Sequence, residues 1–280
     1  MIKIIADTLS CISPQEAKHL DIPFLPQIII FGEDSYRDDY EINPTSFLQK
    51  LKEVKEFPKT AAPSPAMYSP IFEQLIKQGY QPLVVCPSSE LSGTYRGALV
   101  AAKDFTSQDI RVVDTRTLGA GLGVLVKKAI QWAADGDDAN TIEKKITAMA
   151  SRERIYFIVE SLDHLYRGGR IGGARALVGS VLQMKPILKL QDGGITPAEN
   201  QRTKKRALLR ILELVDQECP KDQTSHASVM HGGAEEDAKN LAKEVARITG
   251  NEQVPIFEIP PAILVHGGPG ALAVSFFRAA

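Results

Sequence analysis

The stretch Ser88-Ser89-Glu90-Leu91-Ser92-Gly93-Thr94 joins two segments of different character. Ahead of it, Pro82-Leu83-Val84-Val85-Cys86 is short and apolar and reads as a buried strand. Behind it, Tyr95-Arg96-Gly97-Ala98-Leu99-Val100-Ala101-Ala102-Lys103 is rich in alanine and reads as a helix. A buried strand feeding a helix is the unit of a parallel sheet wrapped by helices. The junction also gathers unpaired N–H groups and the positive end of the helix dipole, which favours an anion. One serine there would be an ordinary N-cap. Three serines, a threonine and Gly93, which permits close backbone approach, predict a ligand site instead.

The rest of the first half repeats this alternation. A strand is expected over 2–5, and Ser13-Pro14-Gln15-Glu16 is a capping box with proline at the first helical position. Extended chain and turns fill 23–40, with 28–31 as their apolar centre. Asn43-Pro44 opens a helix over 45–55, and a helix after the proline-rich 58–65 stops at Gly79. Strand 110–113 and helix 117–134 follow. Beyond residue 150 the pattern changes. Strands at 155–159, 186–190 and 195–199, the last two joined by Gln191-Asp192-Gly193-Gly194, read as hairpin-forming. A short helix at 161–165, helices at 203–217 and 234–248, and strands near 225–230, 254–259 and 271–277 complete the chain. The expectation is an α/β protein of two domains. Residues 1–150 form a parallel-sheet α/β/α domain, and 151–280 an α/β domain with a mixed sheet.

Composition removes several function classes. A net charge of −1 over 280 residues leaves no electrostatic footprint for nucleic acid. Cys11, Cys86 and Cys219 are odd in number and widely spaced, so neither a disulfide framework nor a metal-ligand spacing is available. The first apolar run is too short for a signal peptide, and no segment reaches transmembrane length. A soluble, cytoplasmic chain with no stable membrane insertion is expected.

Four further clusters stand out. Gly119, Gly121 and Gly123 lie in a predicted helix, where each glycine costs about 1 kcal/mol relative to alanine. Their face either accepts close packing or leaves a channel for a ligand. The spacing G-A-G-L-G does not match a dinucleotide loop. Gly168-Gly169-Arg170-Ile171-Gly172-Gly173 holds a cation between glycine pairs, useful if the loop faces the anion site. His266-Gly267-Gly268-Pro269-Gly270 reads as an immobilised turn with the imidazole at its entrance. In Thr60-Ala61-Ala62-Pro63-Ser64-Pro65, Ser64 suits a helix cap, which leaves Thr60 as the better ligand candidate. The order Ser92, Asp114, His266 imitates an α/β-hydrolase, although the G-x-S-x-G elbow is missing.

Taken in order, these segments resemble the DegV family of bacterial lipid-binding proteins over the whole chain. Ile4-Ile5-Ala6-Asp7-Thr8 resembles an opening strand ending T-D-S, and 60–65 a T-S-Q-P-S-P loop. Residues 88–94 resemble S-S-x-L-S-G-T, 165–171 resemble L-x-x-G-G-R-I followed by Lys185-Pro186-Ile187-Leu188, and 266–271 resemble H-x-G-P-G-A. The resemblance implies a protein that holds one long-chain fatty acid between two domains and presents its carboxylate to a separate fatty acid kinase subunit. The kinase, not this chain, would bind ATP, and neither cofactor nor metal is implied here. Carried over by position, Thr60, Ser92, Gly93 and His266 would hold the carboxylate. Arg170 would assist phosphoryl transfer, and Arg202 would dock the kinase. Gly119, Gly121 and Gly123 would then wall a narrow acyl tunnel. Ala6, Ala61 and Ala62 depart from the family pattern and remove hydrogen-bonding groups near the head-group end. Two other readings compete: an acyl hydrolase using Ser92 and His266, and a regulatory carrier of another amphiphile.

Overall fold

The computed structural model describes residues 1–178 and 184–279. The chain starts with β1 (Ile2–Asp7), α1 (Pro14–His19), β2 (Phe24–Leu25), β3 (Ile28–Phe31), β4 (Asp34–Arg37) and α2 (Pro44–Glu53). Next come β5 (Lys59–Ala61), α3 (Pro65–Lys77), β6 (Gln81–Cys86), α4 (Thr94–Ala102) and β7 (Arg111–Asp114). Two helices, α5 (Ala120–Ala134) and α6 (Ala139–Ala150), close this half. The second half holds β8 (Glu153–Ile158), α7 (Asp163–Arg167), β9 (Lys185–Gln191), β10 (Gly194–Gln201) and α8 (Lys204–Glu218). It ends with β11 (Ser228–His231), α9 (Glu235–Thr249), β12 (Ile256–Glu258), α10 (Pro261–Gly267) and β13 (Leu272–Phe277).

The fold is mixed α/β, with three sheets among the described residues. The first is parallel, in the order β2-β1-β6-β7. Both of its faces are covered, so its two central strands carry apolar runs, 4–6 in β1 and 82–86 in β6. Ile4, Ala6, Leu83 and Val85 pack with Leu122, Leu125 and Val126 of α5. Ile5, Val84 and Cys86 point the other way, onto Tyr68 and Phe72 of α3 and Ala98 of α4. The second sheet is mixed, in the order β10-β9-β8-β13-β11-β12, with only β11 and β12 parallel. Its outer face is closed by α8 and α9 through Ile211, Val215, Leu241 and Val245. Its inner face shares the largest buried cluster with α5. A small antiparallel sheet, β4-β3-β5, sets Thr60 opposite Ile29.

Local signals explain most element ends. Ser13 and Asn43 accept from backbone N–H groups in the first turns of α1 and α2, each with proline at the helix start. The β9–β10 hairpin turns at Asp192 and Gly193, whose φ values of 51° and 80° suit a two-residue turn. The helix expected over 117–134 starts later, because Gly119 has φ 72° and donates its N–H to Leu9 O at 2.7 Å. Two helices lie where sequence reading placed none. α6 is capped by Asp138, which accepts from Thr141 N. α10 starts at Pro261, so the turn expected around His266 is the last turn of a helix.

Candidate functional site

An apolar pocket of about 1080 Å³, including its open mouth, lies against the inner face of the mixed sheet. Ile155, Phe157, Leu190, Met230 and Ala273 form one wall, and Ala262 and Ile263 of α10 belong to another. Among the described residues, five that line it carry nitrogen or oxygen in their side chains: Gln27, Thr60, Ser92, Arg170 and His266. They fall into three sets: the Thr60–His266 pair, Arg170 held by backbone carbonyls, and Ser92 joined to Gln27 through Thr94. Thr60 Oγ1 lies 3.0 Å from His266 Nε2. Arg170 donates through Nε to Leu91 O at 3.0 Å and through Nη1 to Gly168 O at 2.8 Å, which ties the glycine-flanked loop to the segment before α4. Ser92 Oγ meets Thr94 Oγ1 at 3.0 Å and accepts from Thr94 N at 3.3 Å. Gln27 Nε2 donates to Thr94 Oγ1 at 3.0 Å and to Asp7 Oδ2 at 2.7 Å.

Electrostatics make this a site of neutral donors with one cation beside it. Burial, helped by Arg170 and His164, pushes the His266 pKa down to about 3, so the ring is neutral. Its Nδ1 is buried without a partner among the described residues. The tautomer that leaves no buried N–H orphaned carries its proton on Nε2 and donates it to Thr60 Oγ1. The hydroxyl proton of Thr60 is then free for a ligand. Gly93 is the N-cap of α4 and donates its N–H to no acceptor among the described residues. Burial lowers the pKa of half-buried Arg170, which stays a cation at neutral pH.

The remaining predicted residues are distributed differently. Ser88 donates to Gly193 O at 2.7 Å, and Ser89 to Asp114 Oδ2 at 2.6 Å, so these two serines serve the fold. Because Asp114 faces Ser89 and His266 faces Thr60, the order Ser92, Asp114, His266 does not assemble as a catalytic triad. Arg202 lies exposed just beyond β10. The glycines at 119, 121 and 123 do not line the pocket. A Cβ at Gly121 would fall 1.5 Å from Glu153 Oε1, and one at Gly123 would lie 2.4 Å from Ser10 O. At Gly119 the obstacle is Met230 Sδ, at 2.7 Å. Their face admits neighbouring elements and leaves no tunnel, because the space a side chain would fill is already occupied. Sequence reading missed Gln27 and the role of Asp7. Nothing in the spacing of Gln27 marks it, whereas Asp7 sits at the end of a recognised strand.

The sequence model of the DegV family (uncharacterised protein, DegV family) matches residues 1–279. A DegV domain-containing protein of Halalkalibacterium halodurans is 32% identical over 277 residues, covering 99% of this chain and 98% of that protein. The chain belongs to the DegV family. Among solved structures, DegV of Bacillus subtilis, a fatty acid binding protein, superposes with a TM-score of 0.88 at 29% identity, covering 99% of both chains. A stearic acid-binding protein from Eubacterium ventriosum superposes equally well, at 0.88, with 25% identity over 99% of this chain and 98% of its own. Structural neighbours of this DegV protein therefore include fatty-acid-binding proteins of the same architecture.

Proposed function

We propose that this DegV protein holds one long-chain fatty acid and presents its carboxylate to a separate kinase subunit, which phosphorylates it to acyl phosphate. The observation that carries the reading is an apolar pocket lined by few polar side chains, Gln27, Thr60, Ser92, Arg170 and His266. An amphiphile with one polar head and a long apolar tail matches that distribution. Burying around fifteen methylenes at roughly 0.8 kcal/mol each gives a gross gain near 12 kcal/mol. Association and ordering offset much of it, and the remainder keeps the lipid bound through purification.

Thr60, Ser92 and Gly93 N–H hold the carboxylate, and His266 sets the Thr60 hydroxyl toward it. Uncharged donors fix an oxygen that must later attack phosphorus without quenching it in a tight ion pair. Arg170, held by Leu91 O and Gly168 O beside them, meets the charge that develops on the transferred phosphoryl group. Arg202, exposed beyond β10, serves kinase docking. In this reading the units 1–150 and 151–280 are the two sides of the lipid site, and the cytoplasm is the compartment, where ATP is at hand and three unpaired cysteines suit the redox state.

Mass spectrometry of an organic extract from the purified protein tests the first half. Stoichiometric fatty acid is expected, and lipid-free protein that also fails to bind added oleate overturns the reading. Acyl-phosphate formation with the cognate kinase and ATP tests the second half.

A further inference from the structure

Behind Ser92 the polar group continues into the protein interior, away from anything the proposed reaction uses. Ser92 Oγ and Thr94 Oγ1 are 3.0 Å apart, and Thr94 Oγ1 donates to Asp7 Oδ2 at 2.8 Å. Asp7 and Thr94 are each 1% exposed, so this file of oxygens is sealed from water except through the pocket. Gln27 Nε2 reaches both Asp7 Oδ2 and Thr94 Oγ1, and Leu9 N donates to Asp7 Oδ1.

Hydroxyl bookkeeping permits two settings of this file. With Asp7 ionised, Thr94 donates inward to Oδ2, and its oxygen accepts from Gln27 and from Ser92. The Ser92 proton is then spent inward, and only an acceptor lone pair faces the pocket. With Asp7 protonated, Oδ2–H donates to Thr94, Thr94 donates to Ser92, and Ser92 offers its proton outward to an anion. Each setting satisfies every atom of the file, and they differ by one proton.

On the reading that the pocket takes a fatty acid, we infer that Asp7 and the lipid carboxyl group share one proton through Ser92 and Thr94. When a carboxylate anion binds, Asp7 takes a proton from solvent. When the neutral acid binds, its proton passes to Ser92 Oγ, that of Ser92 to Thr94 Oγ1, and that of Thr94 to Asp7 Oδ2. Either route ends with the lipid as anion and Asp7 as neutral acid. Two carboxyl groups in one dry site cannot both stay ionised.

The surroundings of Asp7 favour this sharing. From the other elements it faces Asp38 after β4, Tyr68 of α3 and Cys86 of β6, and no cation among the described residues. Asp38 accepts from Thr8 Oγ1 at 2.7 Å and from Gln27 N at 2.8 Å, and its Oδ2 is buried without a partner among the described residues. Burial pushes both Asp7 and Asp38 up to about 7. On the pocket side the charged neighbour is Arg170, with His266 neutral.

Titration calorimetry of the delipidated full chain with decanoate tests the inference, in buffers of different ionisation enthalpy and from pH 6 to 9. Decanoate is ionised throughout this range, so a proton taken up comes from solvent. Wild type is expected to take up close to one proton per decanoate at pH 8.5 and almost none at pH 6. Its Kd should rise about tenfold per pH unit above pH 7. Asp7→Asn, and independently Thr94→Val, should flatten the pH profile and abolish the uptake. Decanoate binding by wild type with no proton uptake at pH 8.5 overturns the inference and leaves the lipid reading standing. Uptake that survives Asp7→Asn and disappears in Asp38→Asn also overturns it, by moving the proton to Asp38. No decanoate binding at any pH overturns the lipid reading, and this inference with it.

Discussion

Thr60 and His266, 206 residues apart in the chain, meet at 3.0 Å in the wall of the apolar pocket. One comes from β5 of the small sheet, the other from the last turn of α10. The missing side chain of Gly168 makes the contact possible. A Cβ there would lie 2.1 Å from His266 Nδ1 and 2.9 Å from His164 O.

Gly168→Ala is therefore expected to push the imidazole off Thr60. Overpacking of this kind costs about 1–3 kcal/mol, read as a lower Tm, and the purified protein should carry less lipid. A variant with unchanged Tm and full lipid content would show that the ring has room to spare.

Ser92→Ala removes one of the carboxylate's donors. Decanoate binding at neutral pH should weaken by about 1–3 kcal/mol, roughly five- to 150-fold in Kd, because a buried oxygen is left unpaired. Unchanged affinity would remove Ser92 from the head-group site.

Arg170→Ala should retain lipid and lose acyl-phosphate formation with the kinase. Because Arg170 also bridges Leu91 O and Gly168 O, Arg170→Lys is the companion variant. It keeps the charge but not the planar fork. Equal loss of lipid and product in both variants would show that the arginine holds the loop and does not serve the reaction.

Glu153 predicts a pH dependence of stability. Its Oε1 accepts from Ser275 Oγ at 2.8 Å, its Oε2 is buried without a partner among the described residues, and burial pushes its pKa up from 4.5 to about 7. The folded protein therefore holds a proton that the unfolded chain releases near pH 4.5. The stabilisation is complete below about 4.5 and is lost as pH rises through 7. Between pH 5 and 8, Glu153→Gln should gain roughly 2 kcal/mol on wild type in urea unfolding. Parallel stability curves for the two proteins would contradict this.

Gly121→Ala separates packing from tunnel. Its Cβ would strike the Glu153 carboxylate, so Tm should fall while lipid identity and chain length stay the same. A shift toward shorter acyl chains would put position 121 back in the tunnel wall.

Much of the fold was legible locally. The apolar run before Cys86, the capping residues Ser13 and Asn43, and the Asp192-Gly193 turn each act on their own neighbours, so a short window of sequence suffices. Where reading failed, a usable signal was sometimes present. Asp138, three residues before Thr141, caps α6, and Pro261 at the first helical position opens α10. The glycines at 119, 121 and 123 were visible as a demand for space, but what fills that space comes from β8, β11 and the turn after β1.

Sequence alone determined the alternation of strands and helices, the neutral composition and the motifs that resemble the DegV family. Tertiary structure decided which of their polar residues meet. It sent Ser88 and Ser89 to the fold, kept Ser92 for the pocket and set His266 on Thr60 away from Asp114. It also brought Asp7 and Gln27 behind Ser92, where no spacing along the chain announces them. The reason is physical. Periodicity and capping are local energies, whereas the contacts of the site depend on how the sheets and α10 stack around a shared core.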